Sequence, residues 1–528
     1  MTIQERGLRL RSAQVDRAGG VLLAAAVGDA LGVPYEFAPP FVGEPEMIGG
    51  GLGPYAPGEY SDDTQMAVCV AEVAATGADL TGAEALDAVA DRFIGWRRDG
   101  ASDIGVSTSA ALRGIEPGPG SAGRLAANAQ WVFASTGKGA GNGGLMRTGI
   151  IALSALGDRR QTARAARAVC ELTHADALAA ESCILWCEAI RIAVLEARFD
   201  LAGGLDLLPE SSRDFWRRAI DEATGVDPAS IGRNGYTVTA LQAAWAAITS
   251  TLDGEREFAC GHLVDALFAA VHAGHDTDTV AAIAGALLGA RWGASAVPAR
   301  YRRLVHGWPG LDASDLVRLA VLTAHSGRPD STGWPSADDH PYRGQSAAMV
   351  VPHPHDPGVL LGTINTPDHG CDAVVTLCRR GRSRDPRIAR QNQVDVWLVD
   401  DEDPTKNPNL DFVLNDTAGV IQQLRGEGKI VFVHCVAAHH RTPAVAVAYS
   451  RLLGHGPEAD VAVERAVGSR RNGLLWNTAH ALRPALRDEL TAGMVERSAR
   501  SGRETARTQS QCRIGGSRPS GQPDRKGR

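Results

Sequence analysis

The stretch Ala273-Gly274-His275-Asp276-Thr277-Asp278-Thr279 runs directly into the apolar segment Val280-Ala-Ala-Ile-Ala-Gly-Ala-Leu-Leu-Gly-Ala-Arg291. Two carboxylates and two hydroxyls thus crowd into four residues at the mouth of a helix. Carboxylates a few ångströms apart raise one another's pKa, and a hard cation bound among them removes that repulsion. More than two hundred residues earlier, Ser61-Asp62-Asp63-Thr64 precedes the apolar run Met66-Ala-Val-Cys-Val-Ala-Glu-Val73 in the same way. Helix N-capping is the alternative use of Asp, Ser and Thr at such places. One cap needs one side chain, however, and each cluster offers several oxygen donors. The surplus predicts one site in which two divalent ions sit between the two clusters.

A chain of 528 residues exceeds one ordinary core, which predicts two or three domains. A formal charge of -7 is too slight to imply a nucleic-acid or membrane partner. The nine cysteines form no CxxC pair and no regular spacing, the pattern of reduced core thiols in a cytoplasmic protein. No apolar stretch follows the opening Met1-Thr-Ile-Gln-Glu-Arg-Gly, so no secretory leader is predicted. The apolar runs around Ala24 to Val27 and from Val280 to Ala290 fall short of the roughly 20 residues of a membrane span and read as buried helices.

Over residues 14–328, apolar residues recur at helical spacing, as in Leu86-Asp-Ala-Val-Ala-Asp-Arg-Phe-Ile-Gly-Trp96, and period-two alternation is almost absent. An all-helical domain is predicted. Its first helix should break within Gly28-Asp-Ala-Leu-Gly-Val-Pro-Tyr-Glu-Phe37, a turn that brings Glu36 inward between two aromatic residues. A buried glutamate needs a partner, and a metal would be one. Gly139-Ala-Gly-Asn-Gly-Gly-Leu-Met-Arg147 reads as a loop whose backbone N–H groups can approach a phosphate. His174 and Tyr236 are further candidates beside it, residues that more often serve packing than binding.

Four spaced motifs, Gly28-Asp-Ala-Leu-Gly-x-Pro-x-Glu-Phe37, Ser61-Asp-Asp-Thr-Gln-Met66, Gly141-Asn-Gly-x-x-Met-Arg147 and Asp276-Thr-Asp-Thr279, resemble those of the ADP-ribosylglycohydrolases, in the family's order. The resemblance implies an all-helical fold with two divalent cations, Mg2+ or Mn2+, at the mouth of a cleft. It implies Ser61, Asp62, Asp63, Asp276, Asp278 and Thr279 as ligands, with Glu36, Asp62 and Asp63 serving catalysis. Gly141, Asn142, Gly143, Arg147, His174, Tyr236 and His275 would meet the ADP-ribose. His275 departs from the family, which commonly has glycine there.

Residues 329–344 are rich in Pro, Gly and charge, which marks a linker. Over 345–490 short β-branched runs (Ala347–Val351, Ala373–Leu377, Val394–Val399, Lys429–His434) alternate with helical stretches, predicting an α/β domain with a central parallel sheet. Its last strand leads into Cys435-Val-Ala-Ala-His-His-Arg441-Thr442-Pro443. Loop N–H groups and a helix N-terminus lower a thiol pKa there, and an arginine fork matches two phosphate oxygens. This resembles the cysteine-dependent protein-tyrosine and dual-specificity phosphatases, which implies Cys435 as nucleophile, Arg441 and Thr442 in the cradle, and an aspartate general acid: Asp403, or its rivals Asp400 and Asp401. Ala438 stands where that family has glycine, and a left-handed alanine costs about 1 kcal/mol. Residues 495–528 read as a disordered basic tail.

The sequence therefore predicts a metal-dependent hydrolase that removes ADP-ribose from a modified protein or small-molecule acceptor, fused to a phosphatase-like domain acting on a phosphorylated substrate. The competing reading is an ADP-ribose-binding module that targets the phosphatase, or an active glycohydrolase carrying an inactive phosphate-binding domain.

Overall fold

The computed structural model describes residues 9–329, 346–367, 369–378, 384–468 and 472–484. The predicted tail over 495–528, and all of the predicted linker but residue 329, lie outside them.

Helices α1 (Ser12–Gly32), α2 (Asp62–Ala74), α3 (Ala83–Asp99), α4 (Val106–Ala111), α5 (Ser121–Thr136), α6 (Leu145–Thr148), α7 (Arg159–Glu171), α8 (Ala177–Glu196), α9 (Glu210–Ala223), α10 (Thr237–Ser250), α11 (His262–His272), α12 (Thr277–Trp292), α13 (Ala299–Arg302) and α14 (Ala313–Ala324) build the first domain. Among the described residues its sheet is the two-residue pairing of β1 (His306–Gly307) with β2 (Leu311–Asp312). Helices α1 and α12 are buried along almost their whole length, which is why both are apolar on every side rather than striped. By length and composition Ser12–Tyr35 could cross a membrane, a longer apolar helix than the run around Ala24 predicts, yet it lies inside the domain core.

The two helices touch backbone to backbone. A Cβ on Gly28 would lie 2.2 Å from the Ala281 carbonyl oxygen, and one on Gly289 2.0 Å from that of Gly20. The break predicted within residues 28–37 is present, late in that stretch. The helix runs on to Gly32 and then tightens into the 3-10 turn Val33–Tyr35, and its glycines serve close packing rather than a bend. The contact places Asp29 of α1 beside Asp278 of α12.

The second domain carries a five-stranded sheet in the order β3-β4-β7-β5-β6, comprising β3 (Val350–His353), β4 (Asp356–Thr363), β5 (Ala373–Thr376), β6 (Gln393–Asp395) and β7 (Val431–Cys435). Strands β4, β7, β5 and β6 run parallel, and β3 pairs antiparallel with β4. The sequence signals missed β4, whose Asp-Pro-Gly start and second glycine hide the strand pattern. Helices α15 (Leu410–Gly426), α16 (Arg441–Leu452), α17 (Asp460–Val467) and α18 (Leu474–Ala481) complete the domain.

The two cores interlock. Trp397 of the second domain belongs to the first core, and Ala299 of the first belongs to the second. Asp416 accepts the Ala299 N–H at 2.9 and 3.1 Å. Asn409 Nδ2 donates to Trp292 O at 2.7 Å and to Ser295 Oγ at 2.8 Å, and Ser295 in turn donates to the buried Asp16 of α1. Buried polar groups satisfied across a boundary hold the two sides in one register.

Candidate functional site

The acidic knots predicted at Ser61–Thr64 and Asp276–Thr279 meet at the N-termini of α2 and α12. Ligand oxygens of Asp29, Asp63 and Asp278 lie within 4.8 Å of one another, as do those of Glu36, Asp276 and Asp278. Asp278 belongs to both groups. The positive ends of two helix dipoles face this charge, but they do not neutralise it. Burial, with the neighbouring carboxylates adding to it, pushes Asp63 and Asp278 well above the ordinary carboxylate range. Burial, then Asp276, Asp103 and Asp29, pushes Glu36 up to about 8.

Capping does not account for either cluster. Neither Ser61 nor Asp276 makes a side-chain cap bond to its own helix. The N-terminus of α2 is instead held by Asp29, which accepts from Ser61 N (2.8 Å), Thr64 N (3.0 Å) and Thr64 Oγ1 (2.6 Å). Ser61 Oγ and Thr279 Oγ1 both donate to Asp63 Oδ2, at 3.1 and 3.3 Å. Asp63 Oδ1 is buried and has no hydrogen-bond partner. A buried carboxylate oxygen without a donor, among carboxylates that repel one another, fits a divalent cation, and the all-oxygen donor set fits a hard one. Asp62 is half-buried and lies outside both groups; burial and the charges of Asp103, Asp29, Asp276 and Glu36 raise it as well.

Three contributors escaped the sequence reading. Asp29 stands in the sequence as part of a glycine-rich turn, although an aspartate within an apolar helix already signals a buried acid needing partners. Asn234, fully buried, accepts from Asp276 N at 3.0 Å and donates to Gly274 O at 2.9 Å, which fixes the turn before α12. Asp103, whose charge acts on Glu36, Asp62 and Asp276, stands in a loop with no sequence signal.

The glycine loop also reaches the cluster. Asn142 Nδ2 donates to Asp276 Oδ2 at 2.8 Å and to Asn234 O at 3.1 Å. Beneath the loop lies His174, whose ring would be 3.3 Å from a Cβ on Gly141 and 3.1 Å from one on Gly143. Arg147 is fully buried and donates to Thr173 Oγ1 at 2.6 Å and to Val169 O at 3.2 Å. Thr173 Oγ1 lies 2.8 Å from His174 Nδ1. The sequence placed Arg147 and His174 against the ligand. The structure corrects this: both are enclosed and act as the floor of the loop, with burial lowering His174 to about 3 so that it stays neutral. Tyr236 is half-exposed at the rim, its backbone bridged to Gly141. His275 is exposed and has φ 60, the left-handed backbone that explains a family preference for glycine.

In the second domain Cys435 ends β7, and Arg441 opens α16 after a five-residue loop. Cys435 is buried. Arg441 Nε and Thr442 Oγ1 are buried without hydrogen-bond partners. Ala438 adopts φ 55, so the strain predicted for alanine at this position is present. Asp403 is exposed and occupied with capping its own short turn through Thr405 N and Oγ1; its carboxyl is held below the ordinary range by those bonds. Asp401 is paired with Lys406. Asp400 instead lies 3.0 Å from His440 Nδ1 and 3.6 Å from Arg441 Nε. Of the three aspartates the sequence offers, Asp400 rather than Asp403 lies beside Arg441.

Residues 10–330 match the model of the family described as ADP-ribosylglycohydrolase. The chain is 30% identical over 320 residues to the ADP-ribosylarginine hydrolase Tri1 of Pseudomonas putida (strain GB-1), covering 56% of this chain and 76% of that protein. It is 27% identical over 304 residues to the ADP-ribosylarginine hydrolase Tri1 of Serratia proteamaculans (strain 568), covering 54% and 74%. To the ADP-ribosyl-[dinitrogen reductase] glycohydrolase of Rhodospirillum rubrum it is 26% identical over 298 residues, covering 54% and 88%. With four motifs converging on one acidic centre and the family model spanning the whole helical domain, the chain belongs to the ADP-ribosylglycohydrolase family.

Proposed function

We propose that the helical domain hydrolyses the bond between ADP-ribose and an arginine side chain of a protein, using two divalent cations, Mg2+ or Mn2+. The observation that carries this reading is the pair of carboxylate groups sharing Asp278. Asp63, Asp276 and Asp278, with the hydroxyls of Ser61 and Thr279, would hold the cations, and Asp62 completes the set from the side. When bound, the cations fix the ribose hydroxyls and polarise the reacting centre. Asp29 accepts from Ser61 and Thr64 on both of its oxygens, and its role in this reading is to position the others. Asn142 orients Asp276 and leaves the glycine loop open to the pyrophosphate.

Glu36, half-buried at the edge of the centre and raised by burial and by its carboxylate neighbours, is the group placed to give a proton to the departing guanidine nitrogen. Water then bonds to the anomeric carbon as the carbon–nitrogen bond breaks, and ionised Glu36 recovers a proton from that water. The relatives named for arginine release make arginine the acceptor to test first. A reducing cytoplasm suits the free thiols.

The test is chromatography of free ADP-ribose after incubating the full chain with peptides ADP-ribosylated on arginine or on serine. Release from the arginine peptide alone supports the assignment. Release from serine alone moves the acceptor, and retained ligand with no release makes the domain a binding module.

A second reading, for the second domain, rests on the buried donors Arg441 Nε and Thr442 Oγ1 near Cys435, neither of which is hydrogen-bonded within the protein. They suit a phosphate oxyanion, with Cys435 as the attacking thiolate and Asp400 as proton donor. Phosphate protection of Cys435 from iodoacetamide, with aryl-phosphate hydrolysis lost in Cys435→Ser, would support phosphatase chemistry. Protection without hydrolysis would leave a phosphate-binding module.

A further inference from the structure

Between Glu36 and Ser61 the chain makes a long excursion, and both of its ends deliver residues of the acidic centre. Its inner side is firmly fixed. Tyr35 stacks on Phe41 at 4.0 Å, Phe41 packs against His272 at 4.8 Å, Tyr35 OH accepts from Glu46 N at 3.0 Å, and His272 Nε2 lies 3.1 Å from Gly43 O. Met47 and Tyr55 are buried.

The outer side is apolar and bare. Phe37 is 60% exposed, Val42 102%, Ile48 58% and Leu52 59%. Four large apolar side chains exposed on one anchored loop exceed what single surface residues require. The loop is also anionic: Glu44 and Glu46 are exposed, and no Lys or Arg occurs between Arg17 and Arg92. A surface beside the cleft that is apolar and acidic complements a basic segment carrying apolar side chains.

We infer that the loop over residues 37–58 docks the protein that carries the ADP-ribosylated arginine, holding an arginine- or lysine-rich, partly apolar segment of it. The inference rests on the hydrolase reading above and names its substrate class: a macromolecule rather than free ADP-ribosylarginine. Val42, Ile48 and Leu52 belong neither to the carboxylate groups nor to the contacts of Asn142. Contacts made outside the cleft act equally on ground and transition states, so they lower KM and leave kcat unchanged.

The test compares wild type with the combined variant Val42→Ser, Ile48→Ser and Leu52→Ser, all exposed positions, in the full chain. Two substrates are used: an arginine-rich protein mono-ADP-ribosylated on arginine, and free ADP-ribosylarginine. Binding of the modified protein is also followed by calorimetry, so that docking is read even without turnover. The variant should raise KM and Kd for the protein about tenfold, as loss of an apolar anchor does, and leave kcat/KM for ADP-ribosylarginine unchanged. Wild-type affinity for the protein should fall with added salt. Equal losses on both substrates would make the loop a support of the catalytic centre and overturn docking, as would an unchanged protein Kd. Absence of release from both substrates by wild type, with the binding difference intact, would instead remove the hydrolase reading and keep the docking surface.

Discussion

The carboxylate of Asp29, on the opening helix, accepts the backbone N–H of Ser61 at 2.8 Å and the hydroxyl of Thr64 at 2.6 Å. One helix thereby caps another, and the residues so positioned, Asp62 and Asp63, are left free to face the centre. Asp29→Asn keeps the volume but replaces one acceptor oxygen with a donor facing a backbone N–H. Loss of such support around a metal site costs about 10–100-fold in affinity or activity. The measurements are ADP-ribose release and calorimetric cation binding, and both should fall together in this variant. A fall in stability alone would restrict Asp29 to the fold.

His275 sits at φ 60 directly before Asp276. His275→Gly removes the left-handed strain of a side-chain-bearing residue, worth up to about 1 kcal/mol less the greater freedom of glycine when unfolded. Thermal denaturation should show an equal or higher midpoint. If the exposed imidazole meets the pyrophosphate, KM for the ADP-ribosyl substrate rises in the same variant while kcat holds; an unchanged KM removes His275 from the binding site.

The contact of α1 with α12 makes a single methyl group costly. In Gly289→Ala the new Cβ would meet the Gly20 carbonyl oxygen at 2.0 Å, and backbone cannot swing aside as a side chain does. Overpacking of this kind costs about 1–3 kcal/mol, here at the upper end. Because these helices carry Asp29 and Asp278, denaturant unfolding should show the loss together with weaker cation binding. An unchanged midpoint would mean that the helices can part without consequence.

Asp16 is fully buried, and burial lifts it to about 6, the bonds from Ser295 opposing the rise only in part. Between about pH 4 and 6 the unfolded chain has released this proton while the folded chain still holds it, so its contribution to stability falls as pH rises through that window and is level above it. Asp16→Asn should flatten that part of the melting-temperature profile. An identical slope in both proteins would assign the pH dependence elsewhere.

The motifs were legible because their chemistry is dense: an acidic cluster before an apolar run stands out, and both clusters do meet in space. The strands other than β4 were legible from β-branched runs. Asp29 and Asn234 were not, since each acts through partners 32 or more residues away in the chain, and spacing carries no trace of such a contact. The helix break within residues 28–37 was legible, but the role of Gly28 was not: it serves close helix packing, and the break comes after Gly32. Arg147 misled because an arginine beside a glycine loop reads as a phosphate ligand, whereas here Phe93, Val169 and Thr173 enclose it. Asp403 has the right distance along the chain from Cys435, but its turn points it to Thr405.

The central claim is that the carboxylates around Asp278 hold the divalent cations on which ADP-ribose release depends. Its most direct measurement is the rate of free ADP-ribose release from an arginine-ADP-ribosylated peptide by the full chain after chelation, and again after Mg2+ or Mn2+ is restored, for wild type and Asp278→Asn. The account predicts no release after chelation, recovery in wild type on adding either or one of the cations, and no recovery in Asp278→Asn. Full-rate release by chelated wild type, or by Asp278→Asn at the same cation concentration, would contradict it.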